Sequence, residues 1–368
     1  MRAFVKNNEH LSDVDLTSFE HEEDLESLIF NNPDLLPIDK LTGEDGDFIP
    51  VSKQLQTDHG PLDILGIDTS GNIFIIENKL DKNSTTDVVR NQLHDYASAL
   101  CRLDFDEFKK RISENNKREK LQSFSSIYGK SLNDILDENF KGDDRAAIER
   151  DINKNLSSGS FVFIIGTNLI ADRLRHNIEY EIKQCSRPLF ALGISSFTQK
   201  DQQFIMTELY PNSIGDYGGQ SQRGPRQTEE NFMKQLEKSS LTADKKRHIK
   251  DVIEKCTTMI KDVSGRIDWG SGDSAKFLPK FPIMENARAP FNIKPWGNLR
   301  LQLQMMVNSY PELHNQFLTE LEKIDDFREI INKQKKGKVG IDIPLEKWES
   351  HSDQFLNIIL RVFGKHVD

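Results

Sequence analysis

Asp63, Glu77 and Lys79 are the residues whose types and spacing point most directly to chemistry. They lie in the stretch GPLDILGIDTSGNIFIIENKL, from Gly60 to Leu80, where Leu62, Ile64, Phe74 and Ile76 recur at the two-residue period of a strand. Thr69-Ser70-Gly71 interrupts the run, and Gly71 suits the left-handed position of a three-residue hairpin loop. That loop sets Asp68 opposite Asn72 and Asp63 opposite Glu77, and Lys79 joins their face because side chains alternate along a strand. Facing carboxylates repel each other unless something positive lies between them. A divalent cation meets that need: magnesium takes one or two carboxylates and leaves its other positions to water and phosphate oxygens. A slip of one residue would put the acids on opposite faces, so the reading depends on the loop. The competing reading is a surface hairpin with a Glu77–Lys79 ion pair, an interaction that contributes little stability.

Several elements must hold this hairpin. The first ten residues carry no pattern and read as loosely held. A helix is expected from Ser18 or Phe19, capped by Ser18, with Glu22, Glu23 and Asp24 in its first turns and Leu25, Leu28 and Ile29 as its apolar stripe. Asn31-Asn32-Pro33 ends it. Glu26 on this helix is either solvated or turned toward the hairpin. Phe48 to Thr57 reads as a strand, and His59 as a loop histidine with no second histidine near it. A helix opens at Thr85-Thr86-Asp87 and runs through Val89, Leu93, Tyr96, Ala97 and Leu100, with Gln92 and Tyr96 on one face. The segment Asp106 to Lys120 is read as a solvated helical face rather than a phosphate-tracking surface, because acids are interspersed among its bases. Short helices are expected around Leu132–Leu136 and Ala146–Leu156. Phe161 to Gly166 is a continuous apolar run of the kind a doubly covered strand shows. A helix from Ala171 to about Gln184, a buried strand from Pro188 to Ile194 and a more exposed one from Gln203 to Leu209 follow, making a βαβ unit in a mixed sheet.

The 368 residues allow two domains, and the net charge of −10 is unevenly spread. From Ser221 onward there are 25 Lys and Arg against 21 Asp and Glu, whereas the first 220 residues hold 24 against 38. The acidic half is thus the one carrying the carboxylates, as expected where cations and basic patches elsewhere help it tolerate a polyanion. Residues 211–230, rich in Gly, Pro, Gln and Ser, read as a linker between domains at 1–210 and 231–368. In the second domain a helix over Ala243–Lys261 is expected, then an aromatic-rich stretch from Trp269 to Trp296 and a strand over Leu299–Met305. A helix through Leu313, Phe317 and Leu321, a basic loop over Lys333–Lys338, a strand over Val339–Ile343 and a closing helix complete it. Three scattered cysteines, Cys101, Cys185 and Cys256, fit neither a disulfide framework nor a zinc site and read as reduced packing residues. No run approaches a membrane span and no secretion signal opens the chain, so a cytoplasmic protein is expected.

Glu26 with Asn32-Pro33, then Asp63, then Glu77-Asn78-Lys79, then Gln92-Leu93-His94-Asp95-Tyr96 resemble, in that order, the PD-(D/E)xK nuclease superfamily. The nearest likeness is to the branch that includes mismatch-endonuclease catalytic domains, over roughly Ser18 to Leu209. It implies an α/β fold, a mixed β-sheet flanked by helices with a restriction-endonuclease-like core, here followed by a C-terminal α+β domain for recognition, dimerisation or sensing. It also implies Mg²⁺, for which Mn²⁺ substitutes, held by Asp63, Glu77 and the Asn78 main-chain carbonyl. Lys79 would orient water or stabilise the transition state, Gln92 would position the lysine or the water, and Glu26 and Tyr96 would support them. Asn78 departs from the apolar residue usual at its position, and Leu62 precedes Asp63 with Pro61 one place earlier. The function implied is a metal-dependent DNA endonuclease of restriction, defence or repair, with no membrane partner and with a homodimer compatible. Two alternatives stand beside it. One is a catalytically silent nuclease fold that binds nucleic acid or protein. The other is an RNA-directed or ligand-gated defence nuclease, with Trp269, Phe277, Phe281, Phe291 and Trp296 as a ligand or base-stacking surface.

Overall fold

The alternating and continuous apolar runs of the first 210 residues build one eight-stranded sheet. It is seen in a computed structural model that describes residues 3–7, 10–43, 46–81, 86–140, 142–185, 188–199, 202–213, 226–270, 274–284, 289–303, 306, 310–334 and 341–364. The chain divides into two units. One comprises Met1–Glu44, Phe48–Lys141 and Ile148–Gln222; the other comprises Asp45–Asp47, Gly142–Ala147 and Arg223–Asp368.

In chain order the first stretch runs β1 (Ala3–Asn7), β2 (His10–Thr17), α1 (Glu22–Asn31), α2 (Ile38–Thr42), β3 (Phe48–Thr57), β4 (Gly60–Asp68), β5 (Ile73–Asn78), α3 (Thr86–Leu100) and α4 (Phe105–Asn116). It continues with α5 (Leu132–Asn139), α6 (Gly142–Ser158), β6 (Phe161–Thr167), α7 (Asp172–Cys185), β7 (Leu189–Gln199) and β8 (Gln202–Tyr210). The strands lie in the order β1-β2-β7-β6-β5-β4-β3, and β8 pairs with β7. β5, β6 and β7 are mutually parallel and the other pairings antiparallel. The mixed α/β fold is the expected one. Every residue of β6 is buried, as its unbroken apolar run requires, with α1 and α3 both packed on it.

Two expectations fail at the start of the chain. Residues 3–7 form a strand rather than a loose end, paired with β2, which in turn pairs with β7 at Asp15–Thr17. Such short edge strands owe their form to long-range pairing that local periodicity does not reveal. The first helix starts at Glu22, not at Ser18 or Phe19, because the His21 main-chain N–H donates to Asp24 Oδ2 (3.1 Å) and closes the first turn there. Thr85 of the expected helix opening lies outside the described residues.

The second unit contains α8 (Glu229–Lys238), α9 (Ala243–Asp262), β9 (Arg266–Asp268), β10 (Leu278–Lys280), β11 (Phe291–Ile293), β12 (Leu299–Leu301), α10 (Pro311–Leu321), α11 (Asp325–Gln334), β13 (Ile341–Ile343), α12 (Leu345–Trp348) and α13 (Ser352–Phe363). β9 pairs with β10, and β11-β12-β13 make a three-stranded antiparallel sheet. The expected strand over Leu299–Met305 keeps only its first three residues; Leu303 is helical, and 304 and 305 lie outside the described residues. Phe277, Phe281 and Phe291 are buried in the core, and Trp269 packs between the rings of Phe232 and Phe277 at 5.5 Å each, so these aromatics are packing rather than a stacking surface. Arg300 is buried on β12 between Asp47 (2.6 Å) and Asp342 (2.9 Å), whose charges outweigh the effect of burial and raise its pKa. Most of the expected linker (214–225) and of the basic loop (335–338) lies outside the described residues. Cys256 is core, its thiol pushed up to about 12 by burial, whereas Cys101 is exposed and not a packing residue. Among the described residues no helix is long and apolar enough to cross a membrane.

Candidate active site

The loop between β4 and β5 has the expected form. Gly71 is left-handed (φ 79°), the Asp68 N–H donates to Asn72 O (3.0 Å), and Asp68 Oδ1 accepts from Ser70 N (2.8 Å) and Asn72 N (2.9 Å). β4 and β5 then pair Ile64 with Ile76, so the next step of the register sets Asp63 opposite Glu77. The Asn78 N–H donates to Asp63 Oδ2 (2.8 Å). Lys79, just past the strand, brings its Nζ 3.3 Å from Glu77 Oε1 and 3.0 Å from Glu22 Oε2 on α1. The two acids and the lysine therefore meet at one place.

The parallel neighbour β6 fixes the end of β5. Asn78 pairs with Gly166, and the Lys79 N–H donates to Gly166 O (2.8 Å). A Cβ at Gly166 would stand 2.2 Å from Asn78 Oδ1, so only glycine leaves room for that side chain. The Asn78 side chain is fully buried, and neither of its amide atoms has a hydrogen-bond partner among the described residues. Orphaned buried polar groups cost about 1–3 kcal/mol each.

α1 and α3 supply the remaining candidates. Glu26 is buried and turned inward: Lys53 Nζ lies 2.7 Å from its Oε1, and Gln54 Nε2 lies 3.0 Å from both of its oxygens. The same Gln54 nitrogen donates to Asp63 Oδ1 (2.9 Å). Tyr96 donates its hydroxyl hydrogen to Pro61 O (2.8 Å), anchoring α3 at the start of β4. Gln92 lies against Tyr96; its Oε1 is buried without a partner, and no hydrogen bond joins it to Lys79 among the described residues. Lys53 and Gln54 are the site residues that sequence reasoning missed, and the one available signal was an unusual Lys-Gln pair inside a strand.

Two ammonium groups lie directly against these carboxylates, Lys53 on Glu26 and Lys79 on Glu22 and Glu77. Burial, with Asp63 second, pushes Glu77 up to about 8. Burial likewise raises Asp63 despite the Asn78 N–H, and raises Glu26, with Asp63 adding to the effect and Lys53 opposing it. Burial alone would lower Lys79, but Glu22, Glu77 and Asp63 outweigh it and raise its pKa. Burial raises Tyr96, and the charges of Glu77 and Asp63 raise it further. Burial, reinforced by neighbouring carboxylates at Glu26 and Glu77, is thus what pushes these acids toward protonation.

The donor set fits a hard divalent cation. Among the described residues Glu77 Oε2 is buried with no hydrogen-bond partner, and each Asp63 oxygen accepts one hydrogen bond, leaving lone pairs over. Among the described residues no group of three or more His, Cys, Asp or Glu converges to hold a metal. An ion here would rest on two carboxylates, as magnesium commonly does.

A mixed sheet whose paired hairpin acids stand beside a lysine is an arrangement suited to phosphodiester chemistry, and the comparisons point the same way. Residues 21–112 match the family model described as endonuclease NucS C-terminal domain. The match spans about a quarter of the chain and includes Glu26, Gln54, Asp63, Glu77, Lys79, Gln92 and Tyr96, so the stretch bearing the site is similar to a nuclease-type domain. No curated protein and no solved structure matches the chain.

Proposed function

We propose that this chain is a divalent-cation-dependent endonuclease that hydrolyses phosphodiester bonds in DNA. The observation that carries the reading is the meeting of Asp63, Glu77 and Lys79 at the end of the β4–β5 hairpin, inside the stretch similar to a nuclease domain. Asp63 and Glu77 would hold Mg²⁺ or Mn²⁺, with the Asn78 main-chain carbonyl as a third candidate ligand. Bound there, the ion supplies Lewis-acid stabilisation of a phosphate oxygen and activates water.

The protein's own residues do the rest. The Asn78 N–H and the Gln54 amide hold the Asp63 carboxylate by one oxygen each, which fixes its orientation. Lys79 keeps its ammonium charged beside Glu77 and Glu22 and is placed to donate to the water or to the phosphate as negative charge builds there. Tyr96 ties α3 to Pro61, two residues before Asp63, and Gln92 rests against it as a supporting polar group. Arg118 donates to Asn115 Oδ1 (3.2 Å) and to Gln54 O (3.5 Å) but to no carboxylate among the described residues, and Lys120 beyond it is exposed. Within the segment expected to be a solvated face, α4 keeps Lys109, Lys110 and Arg111 paired with Asp106 and Glu107, whereas these two cations past its end would support contact with a nucleic-acid backbone.

Incubation with duplex, mismatched and single-stranded DNA and with RNA, in Mg²⁺, Mn²⁺ or EDTA, tests the proposal. Cation-dependent internal cleavage of DNA is expected. Cleavage of RNA alone, or of nothing while the nucleic acid still binds, would favour instead the RNA-directed or the silent reading.

A further inference from the structure

Gln54 lies within β3 yet has φ 51°, left-handed backbone that side chains rarely adopt. The conformation is held from several sides. β3 shifts register against β4 between Pro50 and Ser52. At that irregularity Asn116 Nδ2 donates to Val51 O (3.0 Å), and past it Asn115 Nδ2 donates to Lys53 O (2.9 Å). Arg118 Nη1 reaches the Gln54 carbonyl itself (3.5 Å). Strain maintained so deliberately belongs with function more often than with chance.

What it achieves is the placement of one amide nitrogen between two acids. Gln54 Nε2 lies 3.0 Å from Glu26 Oε1, 3.0 Å from Glu26 Oε2 and 2.9 Å from Asp63 Oδ1. Its two hydrogens bridge carboxylates that repel each other, and Lys53 neutralises Glu26 from another side (2.7 Å). A cation between Glu26 and Asp63 would have to sit where this nitrogen already is.

We propose that the Gln54 amide stands in the place of a second cation, so that the site takes a single divalent ion at Asp63 and Glu77 and leaves Glu26 outside its coordination. Glu26 and Gln54 are thereby positioning residues for Asp63, and Gln54 sets the metal stoichiometry. The inference rests on the reading of Asp63 and Glu77 as cation ligands.

Calorimetric titration of the full chain with Mn²⁺ alone tests it without reference to activity. The wild-type protein is expected to bind one ion, and that ion to be lost in Asp63→Ala. Gln54→Gly removes the amide while accepting the left-handed backbone. It is expected to raise the stoichiometry from one to two, and adding Glu26→Gln to it returns the count to one. Should Gln54→Gly fail to fold, Gln54→Asn keeps the backbone preference but shortens the amide's reach, and it too is expected to admit the second ion. Two ions in the wild type, or a single ion in the folded Gln54 variants, would overturn the inference. Absence of any Asp63-dependent ion in the wild type would instead sink the reading of the site on which it rests.

Discussion

Lowering the pH from 8 to 6 is expected to weaken divalent-cation binding at Asp63 and Glu77 by about fiftyfold. Glu77 is 2 % exposed and faces Asp63, and its pKa is pushed up to about 8. An ion needs the carboxylate ionised, so below that value each bound ion displaces a proton and the apparent affinity falls about tenfold per pH unit. Mn²⁺ titrations at pH 6, 7 and 8, each in two buffers of different ionisation enthalpy, give both affinity and protons released. Close to one proton per ion is expected at pH 6 and about half of one at pH 8. Glu77→Gln should remove this dependence along with most of the affinity. The sign for the metal-free protein follows from the same shift. A carboxyl whose pKa is raised from 4.5 to about 8 on folding contributes stability that is fully present below 4.5 and is lost as pH rises through 8. That loss is at most about 5 kcal/mol. Metal-free melting temperatures should therefore fall across this window, and Mn²⁺ should restore more stability at pH 8 than at pH 6. Affinity constant from pH 6 to 8, with no proton release, would refute the reasoning.

Three other outcomes are expected. Asn78→Leu replaces an amide with two unpartnered atoms by an apolar group of the same branching and heavy-atom count, so it should stabilise the fold by roughly 1 kcal/mol, seen as a higher melting temperature; a lower one would show that the amide is satisfied or that the larger methyl groups do not fit. Arg300→Ala removes the buried cation between Asp47 and Asp342 and should destabilise the second unit by about 1.5–3 kcal/mol in urea unfolding; a loss under about 1 kcal/mol would contradict the ion-pair account. Alanine at both Arg118 and Lys120 should weaken DNA binding and flatten its dependence on the logarithm of salt by up to about 2, while metal binding stays unchanged, as read by fluorescence anisotropy in Ca²⁺; an unaltered salt slope would remove these residues from the interface.

The meeting of Asp63 with Glu77 was legible because its determinants are local: a three-residue loop and a glycine at its left-handed position leave one register. β6 was legible for a similar reason, since an unbroken apolar run between turn residues admits few other fates. Glu26 was not, because its inward direction is decided by Lys53 and Gln54 on β3. Those two residues were hidden in turn. Their placement depends on a register shift at Pro50–Ser52 and on Asn115, 62 residues from the Lys53 carbonyl it holds. Periodicity recovers the strand Phe48–Thr57 but carries no trace of such braces. The truncated strand at Leu299 fails by the same logic. Its alternation continues in sequence to Met305, yet its partners β11 and β13 pair with only three residues.

The most direct test of the central claim is cleavage of a DNA duplex in Mg²⁺ by the wild-type protein beside Glu77→Gln and Asp63→Asn, with each variant's fold checked by circular dichroism. Cleavage by the wild type that is abolished by EDTA and lost by at least about a hundredfold in both folded variants is the predicted result. Cleavage that persists at wild-type rate in either folded variant would contradict the assignment of the hairpin acids as the site.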